Sequence, residues 1–135
     1  MALAKDRATK ERSGDVREIG VKGATKIYAG AMVALDGSGR AVPFATATTL
    51  KGLGRCERLA DNTNGSDGDI KARVRAGIFQ YANSAAGDQI TAADIGSDCY
   101  GVDDQTVAKT NGTNTRSVAG KVFDVDAQGV WVKFS

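Results

Sequence analysis

The stretch Ile70-Lys71-Ala72-Arg73-Val74-Arg75-Ala76 decides the class of fold, because apolar and basic side chains alternate in it residue by residue. Side chains of an extended strand point to opposite faces with a period of two. Ile70, Ala72, Val74 and Ala76 therefore share one face, and Lys71, Arg73 and Arg75 share the other. The expectation is a half-buried β-strand. Gly77 comes next, before Ile78-Phe79-Gln80-Tyr81, and a glycine there reads as a bulge or bend in a continuing strand.

Short apolar runs divided by turn residues extend in both directions. Upstream, residues 27–35 form one run that ends at Asp36-Gly37-Ser38-Gly39 and resumes at Arg40-Ala41-Val42-Pro43, which predicts a hairpin closed by Pro43. Residues 52–59 alternate well enough for a strand. Residues 61–69 carry no apolar side chain and predict an exposed loop. Downstream, Thr91-Ala92-Ala93-Asp94 has the form of a helix start, and Gly96 limits it to one or two turns, so one short helix is expected near residues 91–95. Residues 99–102 and 106–109 flank Asp103-Asp104-Gln105 as a hairpin. Residues 110–115 form a second polar loop, and residues 118–125 and 130–134 make a terminal hairpin around Asp126-Ala127-Gln128-Gly129. The expected core is Ile27, Met32, Val33, Leu35, Leu53, Ile70, Val74, Ile78, Phe79, Tyr100, Val118, Val122, Val125, Val130, Val132 and Phe134.

Composition agrees with an all-β chain. Seventeen glycines stand against one proline, which suits many tight turns between short strands. The 135 residues fit one domain, and 41% apolar with 25% charged residues excludes both wholesale disorder and a membrane span. The fold expected is a compact β-barrel or β-sandwich of short strands with an extended N-terminal arm, residues 1–18, in front of a single β-rich domain, residues 19–135. The front of the chain has no apolar run of signal-peptide length, which predicts a protein made and kept in a cytoplasm.

Histidine is absent, which removes imidazole bases, Ser-His and Cys-His nucleophile pairs and every His-containing metal site. Cys56 and Cys99 lack the paired spacing of a zinc site and read as two buried thiols, although Arg55 and Arg58 beside Cys56 could lower its pKa. The loop at residues 61–69 does not fit a calcium loop. With Gly65 at the sixth position the first is Ala60, and with Gly68 there the third is Gly65. The exposed pair Asp103-Asp104 is expected to titrate close to ordinary carboxylate values and to do no acid-base chemistry. No metal and no cofactor is expected, and the chain reads as no enzyme.

Charge is uneven. Residues 1–26 hold seven basic and four acidic residues, while residues 27–135 hold 11 and 12. The segment carrying Lys5, Arg7, Lys10, Arg12 and Arg17 has too few apolar side chains to offset its ordering entropy, and reads either as a disordered terminus or as an arm that orders only against a neighbouring subunit. Lys71, Arg73 and Arg75 would repel one another on one strand face unless an acidic partner lay opposite. That partner is a carboxylate in the same sheet or an acidic protein surface. Nucleic acid is the weaker reading, because no aromatic interleaves the three cations to give a stacking platform.

Taken together, the front arm and the segments Tyr28-Ala29-Gly30-Ala31-Met32-Val33-Ala34-Leu35 and Gly37-Ser38-Gly39-Arg40-Ala41-Val42-Pro43 resemble the start of the small capsid decoration (cement) proteins of tailed bacteriophages and prophages. Further on, Val74-Arg75-Ala76-Gly77-Ile78-Phe79, Ala86-Gly87-Asp88-Gln89-Ile90-Thr91 and Asp103-Asp104-Gln105-Thr106-Val107-Ala108 look like the same family. So do Ala119-Gly120-Lys121-Val122-Phe123-Asp124-Val125 and Val130-Trp131-Val132, and the resemblance spans nearly the whole chain. It implies a structural protein without catalytic residues, made in a host bacterial cytoplasm and carried on the outer surface of a virion head. It also implies a homotrimer at threefold or quasi-threefold positions, with the major capsid protein and its own copies as partners. The alternative kept beside it is a nucleic-acid-binding β-barrel that uses Lys71, Arg73 and Arg75.

Overall fold

The computed structural model describes residues 1–12 and 14–135. These hold twelve strands: β1 (Val16–Gly20), β2 (Thr25–Ile27), β3 (Met32–Leu35), β4 (Ala41–Pro43), β5 (Lys51–Cys56), β6 (Ala60–Asn62), β7 (Lys71–Arg75), β8 (Gly77–Tyr81), β9 (Asp98–Gly101), β10 (Val107–Ala108), β11 (Val118–Asp126) and β12 (Gly129–Phe134). The expected helix near residues 91–95 is a single 3₁₀ turn, Ala92–Asp94, preceded by another at Ala86–Asp88. The carboxylate of Asp94 accepts the Thr91 N–H at 2.8 Å, and the chain then leaves the turn before an α-helical turn can close.

Two five-stranded sheets, in the orders β1-β7-β5-β3-β4 and β10-β9-β11-β12-β8, and a ribbon of β2 and β6 pair antiparallel throughout. Both larger sheets curl. In the first, Val21 just beyond β1 makes one parallel bridge to Ala41 in β4. In the second, Ala82 just beyond β8 makes one to Thr106 just before β10. One bridge is not a ladder, so neither sheet closes into the barrel that the sequence left open as one form of the fold.

Each curled sheet wraps a core. Val21, Val33, Leu53, Ala72 and Val74 gather in the first, where Ile27 and Ala60 of the β2–β6 ribbon lie against them. The second sheet packs Tyr81, Cys99, Val107, Val122, Val130, Val132 and Phe134 together, and β3 contributes Met32 and Ala34. Period-two alternation accounts for β12, where Val130, Val132 and Phe134 are buried while Lys133 is exposed. The sheets meet closely where Gly52 of β5 crosses β11. A Cβ at Gly52 would stand 1.9 Å from the carbonyl oxygen of Ala119, so no other residue fits there without moving the backbone.

Several expectations need correction. The run at residues 27–35 is two strands, because the chain turns at residues 28–31 between β2 and β3. Gly77 is not a bulge in one strand. It is the corner, at φ +154°, where the chain leaves β7 in one sheet for β8 in the other. That corner sets Phe79 and Tyr81 inward and leaves Ile78 exposed. Val118 is also exposed, because the pairing of β11 with β9 shifts between Val118 and Gly120 and reverses the facing. The loop at residues 61–69 begins inside β6, and Asn62 is buried at 2% exposure, where its Nδ2 donates to the carbonyls of Val21, Lys22 and Ser66 at 3.1, 3.2 and 2.9 Å. One buried amide thus pins the ribbon to the end of β1.

Val132 is fully buried in the second core. Val132→Ala is expected to lower the unfolding free energy by about 1–3 kcal/mol in urea titrations. An unchanged midpoint would mean that β12 does not face that core.

Candidate functional site

The site follows from how β1, β7 and β5 lie side by side. In β7, Ala72 and Val74 enter the first core, which turns Lys71, Arg73 and Arg75 outward. Strand β1 lies at the edge of the sheet and pairs with β7 so that Glu18 stands opposite Arg73 and Val16 opposite Arg75. On the other flank, β5 sets Arg55 directly opposite Arg75. Two like charges at one register position repel. Glu57 relieves the repulsion: its carboxylate accepts from Arg55 at 2.9 Å and from Arg75 Nε, while the Arg55 guanidinium also lies over the Phe79 ring, 4.3 Å from its centre.

The carboxylate expected in the same sheet therefore exists at two places: Glu57 binds Arg55 and Arg75, and Glu18 of β1 stands directly opposite Arg73. Arg75 is bound to Glu57, whereas Lys71 and Arg73 are exposed and make no ion pair among the described residues. Glu18 is shared, since it also meets Arg58 at 3.4 Å. Sequence reasoning missed Glu57. The signal available was its position two residues after Arg55, which puts both side chains on one face of an extended chain.

Residues 1–12 are exposed along their whole length and carry no strand, so Lys5, Arg7, Lys10 and Arg12 lie outside both cores. The segment assigned to the arm, residues 1–18, overlaps the sheet. Its residues 16–18 belong to β1, and the carbonyl of Asp15 accepts the Ala76 N–H at 2.7 Å. Arg17 is thus a sheet residue, half-buried opposite Val74. Beside it a groove of about 420 Å³ is lined by Arg12, Val16, Arg17, Glu18, Ile19, Lys71 and Arg73. The structure brings together Arg12 and Arg17 of the first candidate set with Lys71 and Arg73 of the second. Lys5, Arg7, Lys10 and Arg75 are not in the groove's lining.

The other candidate groups behave differently. Cys56 and Cys99 are both buried. Burial pushes the Cys56 thiol up despite its hydrogen bond to the Arg58 carbonyl, and it pushes Cys99 up to about 11, so the neighbouring arginines do not activate Cys56. Asp104 departs from the ordinary range expected for the Asp103-Asp104 pair, because partial burial and then the charge of Asp103 push its carboxyl up. In the polar loop, Asp67 accepts the Gly23 N–H at 2.7 Å and Asp69 accepts the Ser66 N–H at 2.8 Å. These carboxylates cap turns. No group of three or more Cys, Asp or Glu side chains placed to hold a metal ion occurs among the described residues, and no helix among them is long and apolar enough to cross a membrane.

Two outcomes follow from this chemistry. Partial burial pushes the Glu57 carboxyl up, but hydrogen bonds from Arg75 and Arg55 outweigh it and hold the group below the usual carboxylate range. A carboxyl lowered by folding stabilises the fold above its unfolded value, about 4.3, and loses that contribution as pH falls through the lower folded value. Glu57→Gln should therefore melt at a lower temperature than the parent at neutral pH, and the gap should narrow as the solution is acidified below about pH 4. A gap that is the same at both ends would show that the charge of Glu57 contributes nothing. Second, neither thiol should react with a disulfide reagent such as DTNB until the chain is unfolded in denaturant, and rapid labelling of the native protein would contradict the burial of Cys56 and Cys99.

Compared with known protein families, curated proteins and solved structures, the chain matches none of them.

Proposed function

We propose that this protein is a non-enzymatic capsid decoration protein that binds the outer face of a phage head as a homotrimer and stabilises the shell. The observation that carries the proposal is the division of the chain into two physically different parts. One is a tightly paired all-β body with two cores, and the other is an exposed basic segment, residues 1–12, that belongs to neither core. A cement protein requires both, a rigid body to sit on the shell and a reaching segment to make contacts on it. The resemblance of residues 28–35, 37–43, 74–79, 86–91, 103–108, 119–125 and 130–132 to decoration proteins supports the same reading. Many copies that each bridge neighbouring subunits add up to a large stabilisation of a shell, with no strong single interface required.

The second reading, nucleic-acid binding by Lys71, Arg73 and Arg75, receives less support. Arg75 is held by Glu57, and the groove beside Lys71 and Arg73 contains no aromatic side chain on which a base could stack.

The test mixes purified protein with undecorated heads of its own phage or prophage and follows co-sedimentation and heat stability. A deletion of residues 2–12, which keeps Asp15 and β1 intact, runs beside the full chain. The full chain is expected to sediment with heads and raise their disruption temperature, and the deletion to bind more weakly. Failure of the full chain both to bind and to protect overturns the decoration reading, and equal performance of the deletion removes the arm from it.

A further inference from the structure

The groove between the arm and the β1–β7 edge has an electrostatic imbalance that its own residues do not resolve. Arg12, Arg17, Lys71 and Arg73 line it, and none of the four makes an ion pair among the described residues. The one carboxylate in the lining, Glu18, is already drawn toward Arg58. Arg12 belongs to the exposed segment and the other three cations to the sheet, so the charge of the arm repels the surface it lies beside. An anion placed between Arg12 and the outward side chains of Lys71 and Arg73 reverses the sign of that interaction and turns the groove into a clasp.

We infer that this groove is a binding site for an acidic, extended segment of a partner protein, and that its occupation clamps the arm against the sheet through Arg12. The inference deepens the decoration reading and rests on it for the biological partner, by assigning the chemistry of the surface that the arm meets. The composition of the groove selects the occupant. Arg12 and Arg73 offer forked donors that match carboxylates, and Lys71 adds a point charge, while Arg17, paired opposite Val74, leaves β1 toward the other face. Val16, half-buried and paired opposite Arg75, gives an apolar side chain a place beside those charges, while Ile19 packs against the first core. Strand β1 is the sheet's edge, so the site is open along its length. A polynucleotide would find the cations but no ring to stack on.

The experiment needs no phage heads. A fluorescein-labelled peptide in which Glu and Asp alternate with Val is titrated with the full-chain protein at low salt, and trypsin cleavage after Arg7, Lys10 and Arg12 is followed with and without it. Three controls accompany it: the same peptide with Gln and Asn in place of the acids, a labelled single-stranded oligonucleotide, and the double variant Lys51→Glu/Lys133→Glu. That variant makes the same charge change at two exposed positions away from the groove. The acidic peptide is expected to bind, to weaken with salt, and to slow cleavage of the arm. Lys71→Glu/Arg73→Glu, at exposed positions that leave both cores untouched, should weaken binding by about tenfold or more, and Lys51→Glu/Lys133→Glu should leave it within about twofold. Circular dichroism and melting of each variant establish that it is folded. The inference is overturned if the acidic peptide binds no better than its Gln/Asn counterpart. Equal loss in the two charge variants, tighter binding of the oligonucleotide, or bound peptide with unchanged arm cleavage overturns it as well. Failure here leaves head binding untouched, and failure to bind heads leaves the peptide result standing, so the two claims fall separately.

Discussion

Strand β3 is the element on which both halves of the molecule depend. Met32 and Ala34 enter the core wrapped by the second sheet, and Val33 between them enters the core wrapped by the first. A strand buried on both faces must be apolar at every position, and Met32-Val33-Ala34 is apolar throughout, in contrast to the half-buried alternation of β7. The N–H of Met32 donates to the carbonyl of Asp104 at 2.8 Å and that of Phe44 to the carbonyl of Met32 at 2.9 Å, which ties β3 to the turn before β10 and to the end of β4. A polar residue at any of the three central positions would strand a buried group in one core or the other, at a cost of about 1–3 kcal/mol before cavity effects.

That double burial also positions the basic face. With Val33 of β3 and the β2–β6 ribbon packed on the inner side of the first sheet, β7 turns its charged side chains to the other. Arg55 and Arg75 then meet at one register position, and the sheet tolerates them because Glu57 lies within reach of both. Lys71 and Arg73 lie further along β7, away from that carboxylate. The charge state of the row is a product of register: Glu57 neutralises the Arg75 end, Arg73 stands opposite Glu18, whose ion pair is with Arg58, and Lys71 stands opposite Gly20.

Much of the fold was legible because it is written locally. The alternation of residues 70–75, the Asp36-Gly37-Ser38-Gly39 turn and the terminal hairpin each combine a period with turn chemistry inside a short window, and each appears where expected. In the turn, Asp36 Oδ1 accepts the N–H groups of Ser38 and Arg40 at 2.9 and 3.0 Å, which is the local hydrogen bonding that such sequences encode. What escaped depended on distant partners. Asn62 reads as a loop residue by type, and it is buried because its amide meets the distant carbonyls of Val21 and Lys22 as well as that of Ser66 in its own loop. Ile78 and Val118 were faced wrongly because a corner at Gly77 and a register shift near Gly120 change parity, and neither leaves a mark on the hydrophobic pattern. Residues 28–31 look like strand because Ala29, Gly30 and Ala31 are small rather than polar, yet the chain turns there with Gly30 at φ +88°.

The candidate site divides along the same line. Lys71 and Arg73 announce themselves through period two, and Arg12 and Arg17 through the charge surplus at the front of the chain, but their meeting depends on β1 pairing with a strand more than fifty residues away. No local pattern encodes that pairing. Its consequence is physical: a mixed-charge segment with almost no apolar surface leads into an edge strand whose neighbour presents the same sign of charge. Ordering the segment costs about 1–2 kcal/mol per residue in backbone entropy, and like charge adds to that cost when it approaches its own sheet. Carboxylates brought by a partner reverse the sign of that interaction, which is the basis of the proposed clasp. An exposed basic arm and an unpaired basic edge are therefore two parts of one arrangement, in which the missing component is negative charge supplied from outside the chain.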